Sequence, residues 1–212
     1  MNNLKELLKQ SFGNKVLYES TRVENRFYCV NAKLKAKQHH AGQTRKYTGE
    51  PYVTHCEEVV NLLRYVDGGT ADAIQAAWLH DTIEDTRYTL DQLQCEFGDT
   101  VAKYVWYLTN VPKFVGDRKK RMAIDNDRLR HAPRLVKEIK CADIISNCLN
   151  IAELDPVFAK PYLREKAALL LQFKGCEWDS ERELGFVANR VSLLPLARKV
   201  VDDALDRLKV GG

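Results

Sequence analysis

No two cysteines in this chain are spaced as C-x-x-C. The six that occur, Cys29, Cys56, Cys95, Cys141, Cys148 and Cys176, are scattered, most of them in apolar helical surroundings. That arrangement excludes a C-x-x-C motif and reads as reduced core thiols in a cytoplasmic protein. Long apolar runs are also missing. No window approaches the ~18 residues of a membrane span, so no membrane partner is expected. The first residues, MNNLKELLKQSFGNK, carry neither an apolar stretch nor a cleavage pattern, and no signal peptide is expected.

Charge of one sign is lacking too. Lys and Arg total 33 against 29 Asp and Glu, a formal +4, and the two signs alternate along most of the chain. This balance permits an anionic ligand but does not point to nucleic acid. Alternating strands are absent. The best candidate, Pro51-Tyr52-Val53-Thr54, is too short to matter. There is no internal repeat and no low-complexity linker. With 212 residues, the expectation is one all-α domain over 1–212.

The helices announce themselves by periodicity and caps. Val59, Leu62, Leu63 and Val66 recur at helical spacing. Thr70 is placed to cap a helix from Ala71 through Leu79. Thr89 with Gln92 forms a capping-box pattern ahead of Leu90, Leu93 and Phe97, and that helix stops at Gly98. Asp99 opens another, ending near Asn110. Pro133 starts a long helix expected to run through Leu154. Asp155-Pro156 restarts the chain, with two further helices near 157–173 and 180–208. Residues 112–132 break the pattern. They are rich in Lys and Arg and weakly periodic, and read either as a solvated connector or as a basic loop or frayed helix over an anionic substrate.

One stretch carries unusual charge. HDTIED, at 80–85, puts three carboxylates and a histidine directly after the apolar Ala76, Ala77, Trp78 and Leu79. If the helix continues, His80 and Glu84 share one face and Asp81 and Asp85 the adjacent one. Ile74, Trp78 and Asp81 share a stripe, which turns Asp81 toward the core. Carboxylates crowded this way raise one another's pKa unless a cation compensates. A solvated acidic helix end is the bland alternative, disfavoured because acids there oppose the helix dipole.

A metal needs more ligands than one turn supplies, and histidine is scarce, with five in all. His55 opens the preceding helix and could lie beside His80, as a ligand or as a satisfied core residue. In the long helix, Asp143, Asn147 and Asn150 form a polar stripe on an otherwise apolar surface. Asp143 either pairs with a Lys or Arg or completes a metal site. Two imidazoles and two carboxylates without a thiolate suit Mn²⁺, with Fe²⁺ or Zn²⁺ as alternatives.

The order H…HD…D resembles the HD phosphohydrolases, all-helical bundles that cleave phosphate esters. HHAGQTRKYTGEPYVTH at 39–55, AAWLHDTIEDT at 76–86, LDQLQCEFGDTVAKYVWYLTN at 90–110 and KCADIISN at 140–147 resemble the hydrolase domain of RelA/SpoT-type alarmone enzymes, most of all the small stand-alone alarmone hydrolases. The resemblance covers roughly 24–175, leaving 176–212 as a helical extension. Its amphipathic face (Val187, Val191, Leu194, Ala197, Val201) can pack on the core or on a second subunit, which leaves a homo-oligomer open.

That resemblance implies a single Mn²⁺ held by His55, His80, Asp81 and Asp143, with Glu84 and Asp85 as the catalytic pair. Arg45 and Lys46 would hold a nucleotide, the Arg stacking on its base, and Asn147 and Asn150 would lie near it. His40 matches a family histidine that is not a ligand. The implied reaction removes the 3′-pyrophosphate of ppGpp or pppGpp, leaving GDP or GTP. Lys113, Arg118, Lys119, Lys120 and Arg121 are candidates to neutralise the pyrophosphate. Cys56, Ile144 and Ser146 depart from the family pattern without touching the metal set. Alternatives are an adenine alarmone such as ppApp, the 2′-phosphate of NADPH, or an alarmone-binding module without turnover.

Overall fold

The structure is a computed structural model and describes residues 6–7, 9–11, 23–66, 70–173 and 192–210. Among these the chain is helical, and the only β feature is an isolated antiparallel bridge between Thr44 and Pro51. The helices are α1 Val23–His39, α2 Val53–Leu63, α3 Ala71–Leu79, α4 Thr82–Asp85, α5 Leu90–Leu108, a 3₁₀ turn Lys113–Val115, α6 Arg118–Arg130, α7 Arg134–Cys148, α8 Ile151–Leu154, α9 Pro156–Leu170 and α10 Leu194–Val210.

Helix α3 is the hub. Every residue from Ala73 to Leu79 is buried, as expected of a helix apolar on all sides. It packs on α1, α2, α5 and α7, while α2 also lies on α7. The element that carries the charged turn is therefore deeply enclosed. Leu62, Leu63, Leu79, Ile139, Ile144 and Ile145 are fully buried around it, each contributing roughly 1.5–3 kcal/mol.

Several local expectations hold. The Thr70 hydroxyl accepts from the Ala73 amide at 3.2 Å. Thr89 and Gln92 form both halves of a capping box. Gly98, at φ 82° and ψ 172°, divides α5 where the stop signal lies. Asp155 caps α9 through the Phe158 amide at 3.1 Å.

Two expectations need correction, and two left open are decided. Helix α3 does not run on through HDTIED. It ends at Leu79 because the Thr82 hydroxyl donates to the Leu79 carbonyl at 2.7 Å, and α4 restarts after Asp81. The long helix does not reach Leu154. It ends at Cys148, and Asn150 (φ −124°, ψ 6°) begins the separate α8, so Asn150 leaves the stripe of Asp143 and Asn147. Residues 112–132 are mostly helix rather than connector or loop: after the 3₁₀ turn, Asp117 caps α6 through the Lys120 amide at 2.8 Å and the helix runs to Arg130. The tail helix, described from Leu194, packs on α7 and α9. Val187, Val191 and Cys176 lie outside the described residues.

Candidate metal centre and active site

Three elements converge at one end of α3. His55 comes from the first turn of α2, His80 and Asp81 from the turn that closes α3, and Asp143 from the middle of α7. The two Nε2 atoms face each other at 3.3 Å. Asp81 Oδ2 lies 3.0 Å from His80 Nε2 and 3.6 Å from His55 Nε2. Asp143 Oδ1 lies 3.3 Å from His55 Nε2 and 3.9 Å from His80 Nε2. Ligand atoms of His55, His80 and Asp81 all fall within 4.8 Å of one another, and Asp143 closes the group on the imidazole side.

The outer contacts fix which imidazole nitrogen is free. His80 Nδ1 faces the Ala77 carbonyl at 2.9 Å, so it carries the proton. His55 Nδ1 lies 2.9 Å from Ser146 Oγ, whose own proton goes to Glu58 at 2.6 Å. Ser146 therefore accepts from His55. Both rings therefore turn Nε2 inward, the nitrogen that metal-binding histidines present. Tyr52 donates to Asp81 Oδ2 at 2.6 Å. Lys140 holds Asp143 Oδ2 at 2.7 Å and Asn147 donates to Asp143 Oδ1 at 2.6 Å. One Asp143 oxygen thus pairs with a lysine, as one of its alternatives expected, and the other faces the imidazoles.

The electrostatics call for a cation. Burial alone would depress the His80 pKa, but Asp81 and then Asp143 raise it to about 9. Burial opposes ionisation of Asp81 and Asp143, yet His80 lowers the first, and Lys140 with the imidazoles holds the second well below the carboxylate range. Two lone pairs and two carboxylates facing inward repel without positive charge between them. This donor set fits a divalent metal of the first row, and the His-His-Asp group could bind one.

Glu84 and Asp85 split at the turn. Glu84 is exposed and bridged by Asn110, whose amide nitrogen and side chain approach at 2.9–3.2 Å. Asp85 stays near Asp81, its amide bonded to the Asp81 carbonyl at 3.0 Å. Burial, followed by the charges of Asp81 and Glu84, pushes the Asp85 pKa up to about 6.

Other expected site residues lie at varied distances from this group. Arg45 forms an ion pair with Glu58 at 2.7 Å, which joins it through Ser146 to His55. Lys46 reaches Tyr47 at 2.9 Å and Asp155 at 3.3 Å. His40 sits behind Tyr52, bonded through Nδ1 to Gln43 at 2.7 Å. Asn150 stands at the α8 cap. Sequence reasoning missed Glu58, Tyr52, Asn110 and Lys140. Tyr52, Asn110 and Lys140 stand inside the motifs quoted above, at 39–55, 90–110 and 140–147, and only Glu58 lies outside them.

A cavity of about 760 Å³ adjoins the group, bordered by Glu84 of α4, Asn110, Lys140 and the basic face of α6. No helix among the described residues is long and apolar enough to cross a membrane.

Comparison with known proteins places this architecture. The family model described as HD domain matches residues 32–154, and the chain belongs to the HD-domain family. It is similar to the human protein named guanosine-3′,5′-bis(diphosphate) 3′-pyrophosphohydrolase MESH1, 30% identical over 127 residues that cover 59% of this chain and 69% of that protein. It is 37% identical to the probable GTP pyrophosphokinase of Mycobacterium leprae (strain TN), over 57% of this chain but 15% of that one. The chain spans only 15–18% of the length of that protein and of the Synechocystis and Haemophilus influenzae relatives. A solved metazoan SpoT ortholog, described as hydrolysing ppGpp, superposes with a TM-score of 0.67 over 91% of this chain and 98% of its own, at 19% identity. That likeness is one of fold.

Proposed function

We propose that this chain, acting as one unit in the cytoplasm, is a Mn²⁺-dependent hydrolase that removes the 3′-pyrophosphate from ppGpp and pppGpp. The observation that carries the reading is the inward convergence of His55 Nε2, His80 Nε2, Asp81 and Asp143 beside Glu84 and Asp85. The names of the human MESH1 protein and of the Haemophilus influenzae relative support the substrate.

In this reading His55, His80, Asp81 and Asp143 would hold the ion, and the chemistry it would supply there is a lowered pKa for water and polarisation of a phosphoryl oxygen. The chain's own groups do the rest. Ser146 and the Ala77 carbonyl accept from the two Nδ1 atoms and so aim both Nε2 atoms at the centre, and Tyr52 keeps Asp81 turned inward. An Asp85 carboxyl with a pKa near 6 is largely ionised at neutral pH and basic enough to take a proton from the attacking water. Glu84, held by Asn110, orients that water from the cavity side. Arg45, Lys46 and Asn147 bind the nucleotide. Arg45 exchanges Glu58 for the base when it does so, and Lys46 exchanges Asp155 for phosphate.

The test is a turnover panel with Mn²⁺, run with and without chelator on ppGpp, pppGpp, ppApp and NADPH. We expect GDP and pyrophosphate from ppGpp, and silence after chelation. If metal-loaded protein leaves ppGpp intact while cleaving another member of the panel, the substrate assignment is wrong.

A further inference from the structure

The cations of the cavity differ in what they already hold. Lys113, Arg118, Arg121, Arg128, Lys140 and Lys166 all line it. Arg118 is forked onto Glu165 at 2.6 and 3.1 Å, Arg128 pairs with Asp125 at 2.8 Å, and Lys140 pairs with Asp143 at 2.7 Å. Lys113 is exposed. Two are left. Arg121 has a buried Nε without a hydrogen-bond partner. Lys166 is partly buried and, among the described residues, has no carboxylate within salt-bridge distance, its ammonium lying instead 4.9 Å over the Tyr162 ring.

Lys166 is where it is because of helical spacing. Phe158, Tyr162 and Lys166 follow one another at i, i+4 and i+8 along α9. Phe158 stacks on Tyr162 with centroids 5.2 Å apart, and Lys46 lies 5.5 Å over Phe158. An aromatic strip thus runs from a residue assigned to the nucleotide to an ammonium in the cavity wall. Burial, and then the like charge of Lys140, lower the Lys166 pKa. An enclosed ammonium without a carboxylate costs stability, and an anion in the cavity would offset that cost. Lysine is a point-charge phosphate binder.

The side of the site on which it lies decides which phosphate. Lys140 is shared between the cavity wall and Asp143, whose other oxygen faces His55. The cavity is therefore one ion pair away from the candidate metal centre, with Glu84 also on its wall. We propose that Lys166, with Arg121 on the same cavity, forms a phosphate-binding subsite that holds the diphosphate cleaved from the substrate. The assignment of the ligand rests on the hydrolase reading above.

The experiment titrates metal-loaded protein with inorganic pyrophosphate by calorimetry, comparing wild type, Lys166→Met and Lys166→Arg. Lys166→Met should weaken pyrophosphate by on the order of ten- to a hundred-fold, the value of a charge-assisted hydrogen bond, while Lys166→Arg stays within a few-fold of wild type. Lys166→Met should melt no lower than wild type, since it removes an unpaired enclosed charge. Lys166→Gln carries the same comparison if the Met variant folds poorly. Equal pyrophosphate affinity in wild type and the neutral variants overturns the proposal, as does a wild type that does not bind pyrophosphate. A wild type that binds pyrophosphate through Lys166 yet leaves ppGpp intact overturns the substrate reading and leaves the subsite standing.

Discussion

Ser146 shows how much a single hydroxyl can decide. It accepts from His55 Nδ1 and donates to Glu58, so it sets the tautomer that leaves Nε2 free. Ser146→Ala removes that anchor without disturbing a ligand. It should weaken metal binding by about 10–100-fold, as losses of outer hydrogen bonds to metal-binding histidines do, read by titrating the metal against a chromophoric chelator. Asp85 makes a second prediction. Asp85→Asn should cut turnover by about 10²–10⁴-fold while ppGpp binding survives. In the wild type the base must be ionised, so kcat/KM should fall as pH drops toward about 6. Positive charge beside Asp81 moves that midpoint lower, because Asp81 is one of the charges that raises it. A rate flat from pH 8 to pH 5 would remove Asp85 from the role. His80, Asp81 and the pair that follows could be picked out of the sequence because four ionisable groups in six residues after a buried run demand an explanation. Glu58 could not, since nothing local distinguishes it from other polar residues, and Asn110 showed only as the end of a helix.

At the level of elements, the turn between α3 and α4 and the kink in α5 do most to shape the site. The break after Leu79 sends His80 toward the centre and Glu84 toward the cavity, although i, i+4 spacing had put them on one stripe. Thr82 was the overlooked signal, a hydroxyl that takes the last carbonyl of α3. Gly98 is a different case, and its role was legible. Its φ of 82° and ψ of 172° lie in a region open essentially to glycine alone, and a Cβ there would meet nothing within 4 Å. Gly98→Ala should therefore cost about 1–3 kcal/mol from the backbone alone, seen as a lower urea midpoint with an unchanged slope. Helix α6 escaped periodicity altogether. It is polar on nearly every face, with only Asp125 and Leu129 buried, so there was no apolar stripe to find. Its Asp125 and Arg128 tie down the 109–111 turn, the first to the Val111 amide and the second to the Thr109 carbonyl, and that turn presents Asn110 to Glu84.

For the whole molecule, the cluster of His55, His80, Asp81 and Asp143 is a joint between α2, α3 and α7, so its charge balance bears on stability. His80 has its pKa raised to about 9 in the metal-free protein, above its ordinary 6.5. The stability from its pairing with Asp81 is complete below pH 6.5 and is lost as pH rises through about 9. Chelated protein should therefore melt at progressively lower temperature from pH 6.5 to 9.5. Metal-loaded protein should not, because a cation replaces the proton, and its Tm should exceed that of the chelated form by the equivalent of about 2.7 kcal/mol at a hundred-fold excess over Kd. Scanning calorimetry across this pH range with and without chelator checks both. Identical melting curves would show that no ion bridges the three helices.

The sequence by itself determined the all-helical class, the main caps and breaks, and the charged His80-Asp81 turn, because periodicity, capping and charge crowding are local and leave their mark within a few positions, whereas His55 and Asp143 joined that turn only through the family resemblance. Only the tertiary structure decided which oxygen of Asp143 faces the imidazoles, that Glu58 and Ser146 set the tautomer of His55, and that Lys166 enters the same cavity as Arg121. Each of those depends on helices far apart in the chain coming within hydrogen-bonding distance, and no local pattern records such a meeting.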